Sequence, residues 1–381
     1  MLDTIKLTIP SKMCSFLDKT KFLPENTNAL RGYKTFVQNP TKSELLRGIY
    51  KPRLTITNRF NTYGRSEWTL SIELSLPKLL YGNNFDELCN SDFPKVIELL
   101  QSKLKDMGVS IFTALLEKAP VSAIHYSKNI PLTDGSTPYM LISKIKQANI
   151  PQYLDTNQTD YQNDGLSYKW HSNSYEVTFY DKIHDLGKSK ISEKRTIEKD
   201  NLLQLNLFEE FRNRNKFEVI RMEVRLNNRQ KTKKLCKILG IQTNLTFDEL
   251  FSSSISQKVL QYYISELKSQ RLPILDSQLD KKDLLVSIII GNPNLSISKT
   301  LQIFGLKQTL DIVSIRELKI MFSKANQRSV YRLIDEAEKI KLTGLQDPFK
   351  TLDEQLNNFI PLRLVDYQDK MINNDKYNQY D

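Results

Sequence analysis

The sequence predicts an α+β protein: an antiparallel sheet with packed helices over residues 1–240, a mostly α-helical C-terminal region over 241–366 and a flexible tail over 367–381. Three observations carry this. Six runs before about residue 235 alternate apolar and polar side chains, the period of a strand with one buried face. Beyond about residue 240 the apolar spacing becomes helical, and after about Asp366 the chain turns polar and loses periodicity.

In chain order, "LDTIKLTIP" (2–10), "RLTITNRF" (53–60) and "WTLSIELSL" (68–76) predict the first three strands. "DFPKVIELLQSKLKDMGV" (92–109) predicts one helix packed on the sheet. Asp92 is its candidate N-cap and Pro94 lies in its first turn. Val96, Leu99, Leu100 and Leu104 keep helical spacing, and Gly108 ends it. "VSAIHYS" (121–127), "YEVTFY" (175–180) and "FEVIRMEVRL" (217–226) complete the strands. "TDGSTP" (133–138) and "LDTNQTDYQNDG" (154–165) read as loops, and "GKSKISEKRTIEKD" (187–200) as a charged, solvated stretch. Helical spacing then covers 246–270, 281–290, 296–305 and 327–342.

Composition narrows the partners. Lys and Arg number 55 against 44 Asp and Glu, a formal charge of +11, which makes nucleic acid the first partner to consider. Cys14, Cys89 and Cys236 lie far apart, which argues against a disulfide frame or zinc site and fits a reducing cytoplasm. The longest apolar run, "LLVSIII" (284–290), is far short of the roughly 20 residues of a membrane helix, so no membrane partner is expected. "GKS" at 187–189 ends like a phosphate-binding loop, but Lys182 stands where its first glycine belongs, and no ATPase is indicated.

The polar faces of the strands carry the chemistry. Glu73 alternates with Leu70, Ile72 and Leu74; Glu223 alternates with Ile220, Met222 and Val224; His125 lies opposite Ile124. Tyr180 ends a strand whose apolar face is Val177 and Phe179. If these strands share one sheet, Glu73, His125, Glu223 and Tyr180 emerge on one face: a site for Mg²⁺ or Mn²⁺ beside a phenol. A cation or ammonium beside a tyrosine stabilises the phenolate, and Lys182 is the nearest ammonium in sequence. Together these describe a transesterase that works through phosphotyrosine. Taken singly, Glu223 between two arginines also reads as a solvent-facing ion pair, and His125 as a hydrogen-bonded structural residue.

Several of these segments resemble the gene-two replication initiators of filamentous bacteriophages and their plasmid-borne relatives. "SIELSLPKLLYGNNFDEL" (71–88) resembles that family's acidic strand, short helix and "GxN", and "VSAIHYS" its following strand. "YEVTFYDKIHDL" (175–186) is similar to the segment with the nicking tyrosine, and "VIRMEVRL" (219–226) to an "RxExR" strand. "TLQIFGLKQTL" and "SVYRLIDEAEKI" resemble the helical C-terminal region, so the likeness spans most of the chain in order.

The resemblance implies a rolling-circle initiator: a metal-dependent nickase domain that cuts a plus-strand origin through a 5′-phosphotyrosine link, in the cytoplasm of a bacterial host. It needs double- and single-stranded origin DNA, a host helicase and a host polymerase. Tyr180 is then the nucleophile, Lys182 its electrostatic partner, and Glu73 and Glu223 metal ligands, with His125 standing where the phage pattern has an aspartate. Tyr126 and Tyr175 are candidates for a second nucleophile. Arg212, Arg214, Lys216, Arg221, Arg225, Arg229, Lys231, Lys233 and Lys234 are the cations expected to meet DNA phosphates. Segments 314–325 and 327–340 have helix-turn-helix proportions. A non-enzymatic DNA-binding replication regulator and a conjugative relaxase are the alternatives.

Overall fold

The computed structural model describes residues 1–24, 35–41, 43–44, 47–60, 66–150, 166–187, 218–277, 279–324, 327–343, 345 and 347–363. Eleven strands lie among them: β1 Leu2–Pro10, β2 Ser15–Phe16, β3 Leu23–Pro24, β4 Thr35–Gln38, β5 Arg53–Phe60, β6 Ser66–Ser75, β7 Val109–Ser110, β8 Val121–Leu132, β9 Ser167–Ser172, β10 Tyr175–Asp181 and β11 Glu218–Leu226. Nine form one sheet in the order β3-β4-β5-β6-β1-β8-β11-β10-β9, with every described pairing antiparallel, and β2 pairs with β7 separately. The six strands predicted from alternation are the six contiguous central strands, β5 to β10 in that order. The flanking β3, β4 and β9 went unpredicted; the first two are only 2 and 4 residues long.

Alternation sorts the two faces as expected. Ile5, Leu7, Ile9, Leu70, Ile72, Leu74, Ile124, Val177, Phe179, Met222 and Val224 are buried on one side. Each such aliphatic or aromatic side chain withdrawn from water contributes about 1.5–3 kcal/mol. Burial of that face needs a covering layer, and helices supply it.

Thirteen α-helices lie among the described residues: α1 Leu76–Tyr81, α2 Phe93–Asp106, α3 Thr113–Glu117, α4 Pro138–Lys146, α5 Lys182–Gly187, α6 Arg229–Ile238, α7 Phe247–Leu250, α8 Ser253–Ser269, α9 Lys281–Gly291, α10 Ile297–Leu310, α11 Ile315–Met321, α12 Gln327–Ala337 and α13 Lys350–Asn358. The predicted helix appears as α2, but α4, α6, α8 and α13 also contact the sheet. Asp92 does not cap α2; its Oδ2 instead accepts from the Cys89 N–H and the Tyr81 hydroxyl, each at 2.8 Å. Gly108 has φ +82°, and a Cβ there would lie 3.0 Å from the Asp18 Cβ. The helix predicted over 246–270 is two, because Ser252 leaves helical geometry and its hydroxyl accepts from the Ile255 N–H to start α8.

The boundary expected at 240–241 does not coincide with a change of core. Leu245 to Leu267 and Phe349 to Leu356 belong to the sheet's own core, while a second cluster runs from Leu272 to Ile340. Periodicity reveals a helix but not what the helix packs against. In that second unit α11 and α12 bury Ile315, Leu318, Val330 and Ile334. The tail over 367–381 and the stretch over 188–200 lie outside the described residues. No helix among the described residues is long and apolar enough to cross a membrane.

Candidate active site

Strand register lays out the polar face of β10, β11 and β8 as three rows of three. Glu176, Arg225 and His125 form one row, Thr178, Glu223 and Ser127 the next, and Tyr180, Arg221 and Asn129 the third. Rows are two residues apart along each strand, so all nine side chains leave the sheet on the same side. Glu223 stands at the centre, 2% exposed. Its Oε2 is 3.5 Å from the Tyr180 hydroxyl, and its Oε1 is 3.6 Å from His125 Nδ1 and 2.8 Å from Arg225 Nε. Register therefore brings Tyr180, Glu223 and His125 together.

Glu73 shares the face but not the cluster. In sheet order β1 and β8 lie between β6 and β11, so the Glu73 backbone is three strand spacings, about 14 Å, from that of Glu223. Its carboxylate lies 3.7 Å from Lys6 on β1. All four residues border one polar cleft of about 340 Å³, with Lys51, Arg53 and Lys78 along one side and Lys169 and His184 along the other.

An acidic neighbour was missed. A register shift between Leu2 and Ile5 turns both Asp3 and Thr4 to the cleft. The signal was present in "LDTI", where two buried residues stand three apart instead of two. Asp3 Oδ2 lies 3.1 Å from Arg221 Nη2.

Arg221, expected to meet DNA, is buried at 2% exposure. Its guanidinium also donates to Ser127 Oγ at 2.8 Å, the Asn84 carbonyl at 2.8 Å and Asn129 Oδ1 at 3.3 Å. It braces the cleft floor from inside the protein. Arg229 donates to the Val121, Leu245 and Asn244 carbonyls, and Lys231 lies 4.0 Å over the Tyr175 ring. Lys233 and Lys234 are exposed on α6, whose Leu235 and Cys236 pack into the apolar core, so both lie across the sheet from the cleft. Arg225 borders the cleft and pairs with Glu223 and Glu176. Arg212, Arg214 and Lys216 lie outside the described residues. Tyr126 and Tyr175 do not face the cleft: alternation puts both on the helix-covered side, Tyr126 fully buried and Tyr175 stacked on Tyr263.

Electrostatics assigns the protonation states. Burial alone would raise the Glu223 carboxyl, but Arg225, Arg221 and His125 outweigh it and hold it at about 2. Burial, reinforced by Arg225 and opposed by Glu223, lowers the His125 imidazole, which is therefore neutral at pH 7. Burial pushes the Tyr180 phenol well above its usual range; Arg221 pulls against this and Glu223 adds to it.

No three His, Cys, Asp or Glu side chains among the described residues form a group able to hold a metal ion. The pair whose chemistry suits Mg²⁺ or Mn²⁺ is Glu223 with His125: one ionised carboxylate and one neutral imidazole. Mg²⁺ commonly takes one or two protein carboxylates and fills its shell with water and substrate phosphate, and imidazole suits the softer ion. Glu73, three strands from Glu223 and paired with Lys6 on the neighbouring strand, stands apart from that pair.

Lys182 differs from its expected role as a phenolate-stabilising ammonium. Its side chain is fully buried, its Nζ has no hydrogen-bond partner among the described residues, and it lies over the Tyr180 ring at 5.8 Å from the centroid. Burial first, then Arg221, lowers it to about 7. The unfolded chain takes up that proton near the ordinary 10.5, so the penalty on folding grows as pH falls from 10.5 to about 7 and is constant below. Lys182→Met is therefore expected to stabilise the fold at pH 7 by about 1–3 kcal/mol and less at pH 10, read from urea midpoints at both pH values. An unchanged or lowered midpoint at pH 7 would count against this burial.

No protein-family model matches the chain, and no curated protein or solved structure matches it.

Proposed function

We propose that the chain is a rolling-circle replication initiator of the gene-two type: a site-specific, metal-dependent DNA nickase and strand transferase with Tyr180 as nucleophile. The observation that carries the reading is the contact of the Tyr180 hydroxyl with a buried, ionised Glu223 that also meets His125, in a cleft whose lining holds lysines and arginines among carboxylates. A nucleophile, an anion suited to a cation, and flanking positive charge are what phosphodiester transesterification requires.

In this mechanism the Tyr180 oxygen attacks the scissile phosphorus, the bond from phosphorus to the 3′ oxygen breaks, and the protein keeps a 5′-phosphotyrosine. Glu223, the nearest acceptor at 3.5 Å, orients the hydroxyl. Its carboxylate is too weak a base to keep the proton, which passes to water. Glu223 and His125 would hold a divalent cation, whose chemistry when bound would be charge neutralisation on the phosphate. The freed 3′-hydroxyl is a primer for a host polymerase, a host helicase separates the strands, and attack of a 3′-hydroxyl on the phosphotyrosine rejoins the ends without ATP.

The test is incubation with supercoiled DNA bearing the element's own origin and Mg²⁺ or Mn²⁺. Open circles and a covalent protein–DNA adduct are expected, with Tyr180 in the adduct peptide by mass spectrometry. A second reading, a DNA-binding regulator without chemistry, draws on the separation of Glu73 from Glu223 and on the raised Tyr180 phenol. It predicts origin binding that is indifferent to metal and leaves no adduct.

A further inference from the structure

In strand transfer the 3′ oxygen leaves as an alkoxide unless a proton reaches it. Proton donation to a leaving group is worth about 10²–10⁴-fold, so the cleft is expected to contain a donor. His125 is engaged with Glu223, and Lys182 points at the Tyr180 ring. Asp181 accepts the His184 backbone N–H at 2.8 Å. Of the two imidazoles that border the cleft among the described residues, His184 is the one not engaged with Glu223.

His184 borders the same cleft as Tyr180, four residues further along, on the first turn of α5. Its Nε2 is shielded from solvent and has no hydrogen-bond partner among the described residues. A buried nitrogen without a partner costs about 1–3 kcal/mol, and such an atom beside a substrate cleft is a candidate for a substrate contact. The Asp181 bond to its backbone fixes where the ring starts, and Asp185 lines the cleft one residue on.

We propose that His184 is the general acid of the nicking step and the general base of rejoining, an assignment that rests on Tyr180 being the nucleophile. As the bond between phosphorus and the Tyr180 oxygen forms and the bond to O3′ breaks, the electron pair of the broken bond stays on O3′. That oxygen takes the proton from His184 Nε2, leaving a neutral imidazole. In rejoining, neutral His184 removes the proton from the 3′-hydroxyl as O3′ attacks phosphorus and the Tyr180 oxygen departs.

The test compares His184→Ala and His184→Gln with wild type on a single-stranded oligonucleotide spanning the mapped nick site. It is run once with the natural O3′ and once with sulfur in place of that bridging oxygen. A thiolate leaves without a proton. Both variants are expected to cut the oxygen substrate about 10²–10⁴-fold more slowly, yet the sulfur substrate within a few fold of wild type, which also shows that they are folded. Equal slowing on both substrates, or none on the oxygen substrate, overturns the assignment while leaving Tyr180 intact. If wild type forms no adduct on either substrate, the Tyr180 reading itself falls, and the role of His184 with it.

Discussion

Replacement of Tyr180 by phenylalanine is expected to abolish nicking and the covalent adduct while leaving the fold and origin binding in place. The substitution deletes one oxygen whose contact in the free protein is the long 3.5 Å approach to Glu223. The ring keeps its place over Lys182 and its position opposite Arg221 in the sheet. Stability should therefore change by about 1 kcal/mol or less, the scale of a single hydrogen bond. Activity should fall by about 10⁴-fold or more, as when a nucleophile is removed from a preorganised site. Rate and fold are thus read separately: open-circle formation against a urea denaturation midpoint. A Tyr180→Phe protein that nicks at the wild-type rate would end the enzymatic assignment. One that fails to nick because it has unfolded would show a lowered midpoint.

The largest effect on stability is expected from Glu87, which is 4% exposed and joins three parts of the chain. Its Oε2 accepts from Lys128 Nζ at 2.6 Å and the Leu362 N–H at 2.8 Å, and its Oε1 from the Asn129 N–H at 2.5 Å. Lys128 Nζ donates in turn to the Ile360 carbonyl at 2.8 Å. Glu87→Ala leaves a buried ammonium and two buried N–H groups without an anion, a loss of about 3–5 kcal/mol read as a lowered urea midpoint. The double variant Glu87→Leu with Lys128→Met should recover much of that loss, because the uncompensated charge is gone.

The pH dependence has a defined sign. Burial alone would raise the Glu87 carboxyl, but Lys128 and the amino terminus more than reverse this, so its folded value lies below the ordinary 4.5. Its stabilisation is complete above pH 4.5 and is lost as pH falls through the folded value, and Glu87→Ala should remove that part of the acid limb. Asn129 shares the Arg221 row, so loosening Glu87 should slow nicking through the cleft floor without touching Tyr180.

Much of this architecture was legible in the residues. Alternation in "VIRMEVRL" and "YEVTFY" is a local property, set by side chains that point to opposite faces every residue, and it assigned Glu223 and Tyr180 to the polar face. The same period puts Tyr126 and Tyr175, expected as second nucleophiles, with Ile124 and Val177 on the apolar side, and the structure finds them there. Net charge pointed to an anionic partner, but it did not reveal that Arg221 is spent inside the protein while Lys233 and Lys234 lie beyond the sheet.

The sequence by itself determined that Glu73, His125, Glu223 and Tyr180 lie on one polar face; the tertiary structure alone decided which of them touch, and added Asp3 and His184 to the cleft. β10 pairs with β11, so Tyr180 and Glu223, 43 positions apart, become diagonal neighbours. β1 inserts between β6 and β8, so Glu73 is carried away from the pair it was expected to join. α5 begins at Lys182 directly after β10, which buries the ammonium under a ring and leaves His184 at the cleft. Facing is set by a two-residue backbone period that any short segment reveals. Contact depends on strand order and register, which arise from pairings between distant segments that no local pattern encodes.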